Sequence, residues 1–140
     1  MTNVILSVCG RQSYMDQEPE EIELVTEGTL KKTGDNSWEL RYEESPLTGL
    51  EGVTTTFEIQ PGKVVLTRTG KLNSQMVFVE GVRHDSLYQM EFGALMISVC
   101  ASAIRSSINE DGGTIDLDYD IEVEQSAAGK ISYHLDIRYK

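Results

Sequence analysis

The chain has 140 residues with 23 acidic against 12 basic side chains, a formal charge of −11, and is 39% hydrophobic and 25% charged. That length suits a single domain with its own core, and the acid excess repels phosphate backbones and anionic lipid, which argues against nucleic acid and membrane surfaces as partners. No apolar run approaches the roughly 20 residues of a membrane helix, no basic segment precedes "VILSVCG", and Cys9 and Cys100 lie far apart, so the expectation is a cytoplasmic protein with two reduced thiols.

Period-2 alternation of apolar and polar residues recurs almost from end to end, which is the pattern of half-buried strands. In chain order the predicted strands are 2–9, 20–32, 37–44, 53–60, 63–69, 75–80, 86–92, 94–108, 114–124 and 130–139. They are separated by "GRQSYMDQEP", "TGDN", "SPLTGLEG", "PG", "TGKLN", "EGVRHD", "NEDGG" and "SAAG", rich in residues that favour turns. Short strands with brief connections predict an all-β, antiparallel up-and-down barrel of about 8–10 strands with little helix. One run is ambiguous: in "ALMISVCASAIRSSI" the apolar residues also fall on a helical stripe. Its β-branched and Ser-rich content, between Gly93 and the Asp111-Gly112-Gly113 turn, favours a long strand with a bulge.

Two hairpins can be drawn in register. Pro61-Gly62 places Gln60 opposite Lys63, and therefore Phe57 by Leu66 and Thr55 by Arg68. A turn at "SAAG" places Val123 opposite Ile131, with outward pairs Glu124–Lys130, Asp120–His134 and Asp116–Arg138, and Asp118 beside Asp136. The acids of "IDLDYDIEVE" then form a row along one outer face, about 6.8 Å apart and parallel, whereas a metal site needs ligands that converge. They read as a solvated face.

The ordered series "YEES…GLEGVTTTFEI…VVLTRTG…QMVFVEG…YQMEFGALMISV…DGGTIDLDYDIEV" resembles the YwiB-like family, domain of unknown function 1934, of Gram-positive bacteria. The match runs from about Glu27-Gly28 to the last strand, with Tyr42, Glu44, Thr55, Arg68, Gly70, Phe92 and Gly93 at family-like positions. The resemblance implies a calycin-like closed barrel, similar to lipocalins and fatty-acid-binding proteins, and no established activity. Unlike those two groups, the sequence shows neither a signal peptide nor a pair of lid helices.

Polar exceptions to the inward pattern give the one candidate site. Trp38, Leu40, Tyr42 and Glu44 share a face, as Val64, Leu66 and Arg68 do, and the strand carrying Thr55, Phe57 and Ile59 lies between them. Two strand spacings are about 9.6 Å, within reach of a long arginine. In one reading Arg68 clamps the acidic head of a small amphiphile whose apolar part lies among Trp38, Leu40, Phe57, Met90 and Phe92, with Tyr42, Glu44 and Thr55 around the head. In the other, Arg68 plugs the barrel end with Glu44 as its counterion.

No nucleophile motif, metal-ligand spacing or phosphate-cradling loop is present, and the two histidines, His84 in a turn and His134 facing outward, read as surface residues. The expectation is a non-enzymatic protein without cofactor or metal. The runs 75–80 and 94–101 are apolar on both faces and need outside cover, which a homodimer would supply. That makes a protein-interaction module with a filled lumen the alternative to a ligand-binding barrel.

Overall fold

A computed structural model of the chain describes residues 2–14, 18, 20–44, 51–90, 93–109, 111–124 and 126–139. Ten strands, with no helix among the described residues, follow one another along the chain. They are β1 (Thr2–Tyr14), β2 (Glu20–Gly34), β3 (Ser37–Glu43), β4 (Val53–Gln60), β5 (Lys63–Gly70), β6 (Ser74–Val79), β7 (Arg83–Met90), β8 (Gly93–Asn109), β9 (Gly112–Val123) and β10 (Ser126–Tyr139). Among the described residues no helix is long and apolar enough to cross a membrane.

All ten join one antiparallel sheet in the order β6-β5-β4-β3-β2-β1-β10-β9-β8-β7. Each strand pairs with its neighbour in sequence except β6 with β7, and β1 closes onto β10. The two sheet edges, β6 and β7, meet only at isolated bridges, Asn73 with Gln89 and Val79 with Val82, while Glu80 bridges Ala101 in parallel. The result is a nearly closed barrel with a seam between β6 and β7. Strand β1 runs five residues past its expected end at Cys9, because β2 and β10 pair with it on both sides through Gln12 and beyond. Residues 93–109 form one strand whose register slips between Ala101 and Ala103, so the bulged strand, and not the helix, is the outcome.

The β4–β5 register is as the Pro61-Gly62 turn dictates, with Gln60 opposite Lys63 and Thr55 opposite Arg68. The last hairpin departs from expectation. Ile131 pairs with Tyr119 rather than Val123, and His134 with Asp116 rather than Asp120. "SAAG" belongs to β10: Ser126 already pairs with Val123, Glu124 turns the chain at φ 51°, and a bulge between Ala127 and Gly129 absorbs the extra residue. A slip of an even number of residues leaves every side chain on its face, so the acids remain outside. The start of β9 is crowded: a Cβ at Gly113 would overlap the Ser107 carbonyl oxygen, which restricts that position to glycine.

Alternation fills the barrel from one end. Val4 and Leu6 of β1, Ile115 and Leu117 of β9, Leu135 and Ile137 of β10, and Val64 and Leu66 of β5 are all buried, and Leu40, Phe57 and Phe78 pack among them. Each such side chain contributes about 1.5–3 kcal/mol by leaving water. Further along the same strands the inward residues become Val8 and Gly10, Tyr119, Tyr133 and Arg68, and there the interior opens.

Candidate functional site

The open end is built on one row of cross-strand partners. Tyr42 of β3 lies opposite Thr55 of β4, Thr55 opposite Arg68 of β5, and Arg68 opposite Ser74 of β6. All four point inward because they continue the inward series of their strands. Glu44 follows the end of β3 on the same face, fixed by its backbone N–H donating to the Val53 carbonyl at 2.9 Å. Its carboxylate is buried and accepts from Thr55 Oγ1 at 2.6 Å, and the Tyr42 hydroxyl hydrogen-bonds it as well. Burial first, and then Glu44, hold the Tyr42 hydroxyl well above the usual tyrosine range.

Arg68 is half-buried as a residue, but its Nε is sealed from solvent and has no hydrogen-bond partner. Burial acts to lower its pKa; Tyr133, Tyr119, Glu44 and Tyr42 outweigh this and leave it raised, so the guanidinium stays cationic. An unpaired buried donor costs about 1–3 kcal/mol, and a charged one more. This N–H of Arg68 is therefore not satisfied by a protein acceptor.

A cavity of about 300 Å³ opens beside the guanidinium. Arg68, Glu44 and Tyr42 line one side, Tyr88, Tyr119 and Tyr133 bring three more aromatic faces, and Val8, Leu24, Met76, Ile97, Ile121 and Ile131 give an apolar wall. The aromatics form a row that starts in the core, Phe78 tilted against Tyr119 at 4.6 Å between ring centroids and Tyr119 stacked on Tyr133 at 6.3 Å. Gly10 makes room for the Tyr133 ring, since a Cβ there would meet it at 3.3 Å. A barrel of eight strands is just wide enough to be filled by its own side chains, and ten strands leave more space.

Of the residues singled out in the sequence, Tyr42, Glu44 and Arg68 line this cavity and Thr55 anchors Glu44 behind it. Phe57 does not reach the cavity: it is 2% exposed and lies in the filled half, stacked against Tyr42 at 6.4 Å. Trp38 sits at the opposite end of the barrel, four residues or about 13 Å along β3 from Tyr42, beside Ile59, Pro61 and Ile108. The Met90 side chain and Phe92 lie outside the described residues. Missed by the sequence reading were Tyr88, Tyr133 and Ser74. Tyr133 had inward parity, but only the closure of β1 on β10 brings it round to Arg68, and Tyr88 comes from across the seam between β6 and β7; Ser74, the partner of Arg68 on the adjacent strand, lay just before the expected strand 75–80.

The other polar groups are arranged differently. His84 is on β7 rather than in a turn, and its Nδ1 is buried without a partner, because the turn ends at Val82 and β7 starts at Arg83. His134 is outside, its Nδ1 2.5 Å from Asp116 and its Nε2 3.2 Å from Asp136, and the Asp116 hydrogen bond raises its pKa. Arg83 bridges Asp85 at 3.2 Å and Glu122 at 3.1 Å. Cys9, Glu21 and Glu23 cluster on the outer face of β1 and β2, but the thiol donates to Glu21 at 3.6 Å and its pKa is raised, by desolvation first and then by Glu21. A thiol kept protonated is a poor ligand and a poor nucleophile.

The family model described as Domain of unknown function (DUF1934) matches residues 6–137. An "Uncharacterized beta-barrel protein YwiB" of Bacillus subtilis (strain 168) is 30% identical over 108 residues, covering 77% of this chain and 74% of that protein. The solved structure titled "Crystal structure of ywiB protein from Bacillus subtilis" is similar with a TM-score of 0.87 at 26% identity, over 99% of this chain and 92% of that one.

Proposed function

The chain belongs to the family of Domain of unknown function (DUF1934), and from that premise and the geometry of the open barrel end we propose that it is a non-enzymatic cytoplasmic protein that binds a small acidic amphiphile in the barrel. The observation that carries this reading is the buried, unpartnered Nε of Arg68 beside a cavity of about 300 Å³. A donor left without an acceptor at the edge of an apolar space fits a ligand that brings the acceptor. At about 30 Å³ per water the cavity has room for about ten waters, the bulk of a ligand of roughly ten to fifteen non-hydrogen atoms. No nucleophile with an activating base stands in the cavity wall among the described residues, which supports binding over catalysis.

Octanoate and octan-1-ol, of matching size, test this by titration calorimetry. Octanoate should bind the wild-type protein and not Arg68→Met, and octan-1-ol should bind both equally and more weakly. Equal octanoate affinity in the two proteins would remove Arg68 as the anchor.

A second reading rests on a separate observation. Leu87 and Met96, cross-strand partners on the outer face of β7 and β8, are 49% and 36% exposed, and Val82 nearby is 52% exposed. Such a patch suits an interaction with a second copy of the chain. Light scattering at high concentration that gives the mass of one chain counts against it.

A further inference from the structure

We propose that Ser74 is the second anchor of the ligand head group and that the head group is a monocarboxylate. This rests on the binding reading above. It starts from an observation that reading does not use: Ser74 Oγ, like Arg68 Nε, is a buried polar atom without a hydrogen-bond partner. The two residues are direct cross-strand partners, both facing inward, and Met76, the next inward position on β6, lines the cavity. Ser74 itself is 8% exposed and stands next to the lining residues Arg68 and Met76 without being one of them. Across the seam the bridge from Asn73 to Gln89 brings Tyr88, another lining residue, alongside.

Two unsatisfied donors side by side on one row call for acceptors that arrive together. Buried hydroxyls and guanidinium N–H groups are ordinarily paired, so two adjacent exceptions are informative in a way that one is not. A carboxylate has two oxygens in one plane, one for the Arg68 N–H and one for the Ser74 hydroxyl. Charge selects between acids. Among the described residues Arg68 is the one cation lining the cavity, and the carboxylate of Glu44 lines it too. The Glu44 carboxylate already offsets Arg68, so a monoanion adds one uncompensated charge there and a phosphate monoester nearly two, which makes the carboxylate the less costly head group.

Calorimetry on the full chain at pH 8 with octanoate, octyl phosphate and octan-1-ol, using wild type, Ser74→Ala, Ser74→Thr and Arg68→Met, tests the assignment. Ser74→Ala should weaken octanoate by about 10- to 100-fold, the worth of a hydrogen bond to a charged group, and leave octan-1-ol unchanged. Ser74→Thr, which keeps the hydroxyl, should recover most of the octanoate affinity, and octyl phosphate should bind wild type more weakly than octanoate. If Ser74→Ala binds octanoate as wild type does while Arg68→Met does not, Ser74 is no anchor and the binding reading survives alone. If wild type binds octyl phosphate more tightly than octanoate, the carboxylate assignment is wrong. Should wild type bind none of the three, both this inference and the reading beneath it are overturned. Should Ser74→Ala fail to fold, Ser74→Thr decides: octanoate affinity matching that of Arg68→Met refutes the role of the hydroxyl.

Discussion

Replacing Arg68 by methionine separates a ligand anchor from a structural plug by its effect on stability. If Arg68 were a plug saturated by protein acceptors, the substitution would strand Glu44 and cost about 3–5 kcal/mol, the figure for breaking a buried pair. The geometry predicts much less. Removing an Nε that has no acceptor recovers about 1–3 kcal/mol, and the methionine fills the volume of the arginine stem. Against this stands the lost attraction between Arg68 and Glu44, taken as of comparable size, while Glu44 keeps its hydrogen bonds from Thr55 and Tyr42. The two effects offset, and the net change should lie within about 1 kcal/mol. In urea unfolding with a slope of about 2 kcal/mol/M, that moves the midpoint by no more than about 0.5 M, against about 1.5–2.5 M for a plug. A midpoint lowered by more than about 1.5 M, restored in part by adding Glu44→Gln, would refute the reasoning.

Three further outcomes follow from the same structure. Phe57→Ala, at a position 2% exposed in the filled half of the barrel, should lower stability by about 3–5 kcal/mol in the same urea assay, and a loss below about 1 kcal/mol would contradict the division of the interior into a core and a cavity. His134, raised above its ordinary value of 6.5 chiefly by its hydrogen bond to Asp116, adds stability that is fully present below pH 6.5 and is lost as pH rises through its folded value. His134→Gln should therefore flatten the decline of the urea midpoint above pH 6.5, by a small amount because the side chain is 43% exposed. Because Arg68 and Tyr42 are both shifted upward, neither titrates near neutrality, and calorimetric octanoate affinity should be constant from about pH 6 to pH 9.

The sequence carried the architecture well because a two-residue period fixes faces irrespective of pairing. Phe57, Leu66 and Arg68 could be placed inside, and paired correctly, since Pro61-Gly62 leaves no slack in the turn. Around "SAAG" the chain had slack: a bulge and a left-handed Glu124 moved the pairing of β10 by four residues without turning a single side chain over. The candidate site was legible only where it is local. Tyr42, Thr55 and Arg68 lie on consecutive hairpin strands, so strand spacing alone brings them together. Tyr133 arrives through the β1–β10 closure and Tyr88 across the seam, and no nearest-neighbour rule reaches that far. Trp38 shares a face with Tyr42 but lies a full 13 Å or so along the strand, a reminder that parity fixes a face and not a depth.

The most direct measurement of the central claim is the nitrogen and proton resonance of Arg68 Nε–H, observed by nuclear magnetic resonance in the wild-type protein and assigned by its disappearance in Arg68→Met. A donor that lacks an acceptor and gains a carboxylate shifts downfield as the new bond forms, so titration with octanoate should move this resonance and octan-1-ol should leave it in place. A resonance that stays unchanged at saturating octanoate, or that already lies at the position of a charge-assisted hydrogen bond in the free protein, would contradict the account.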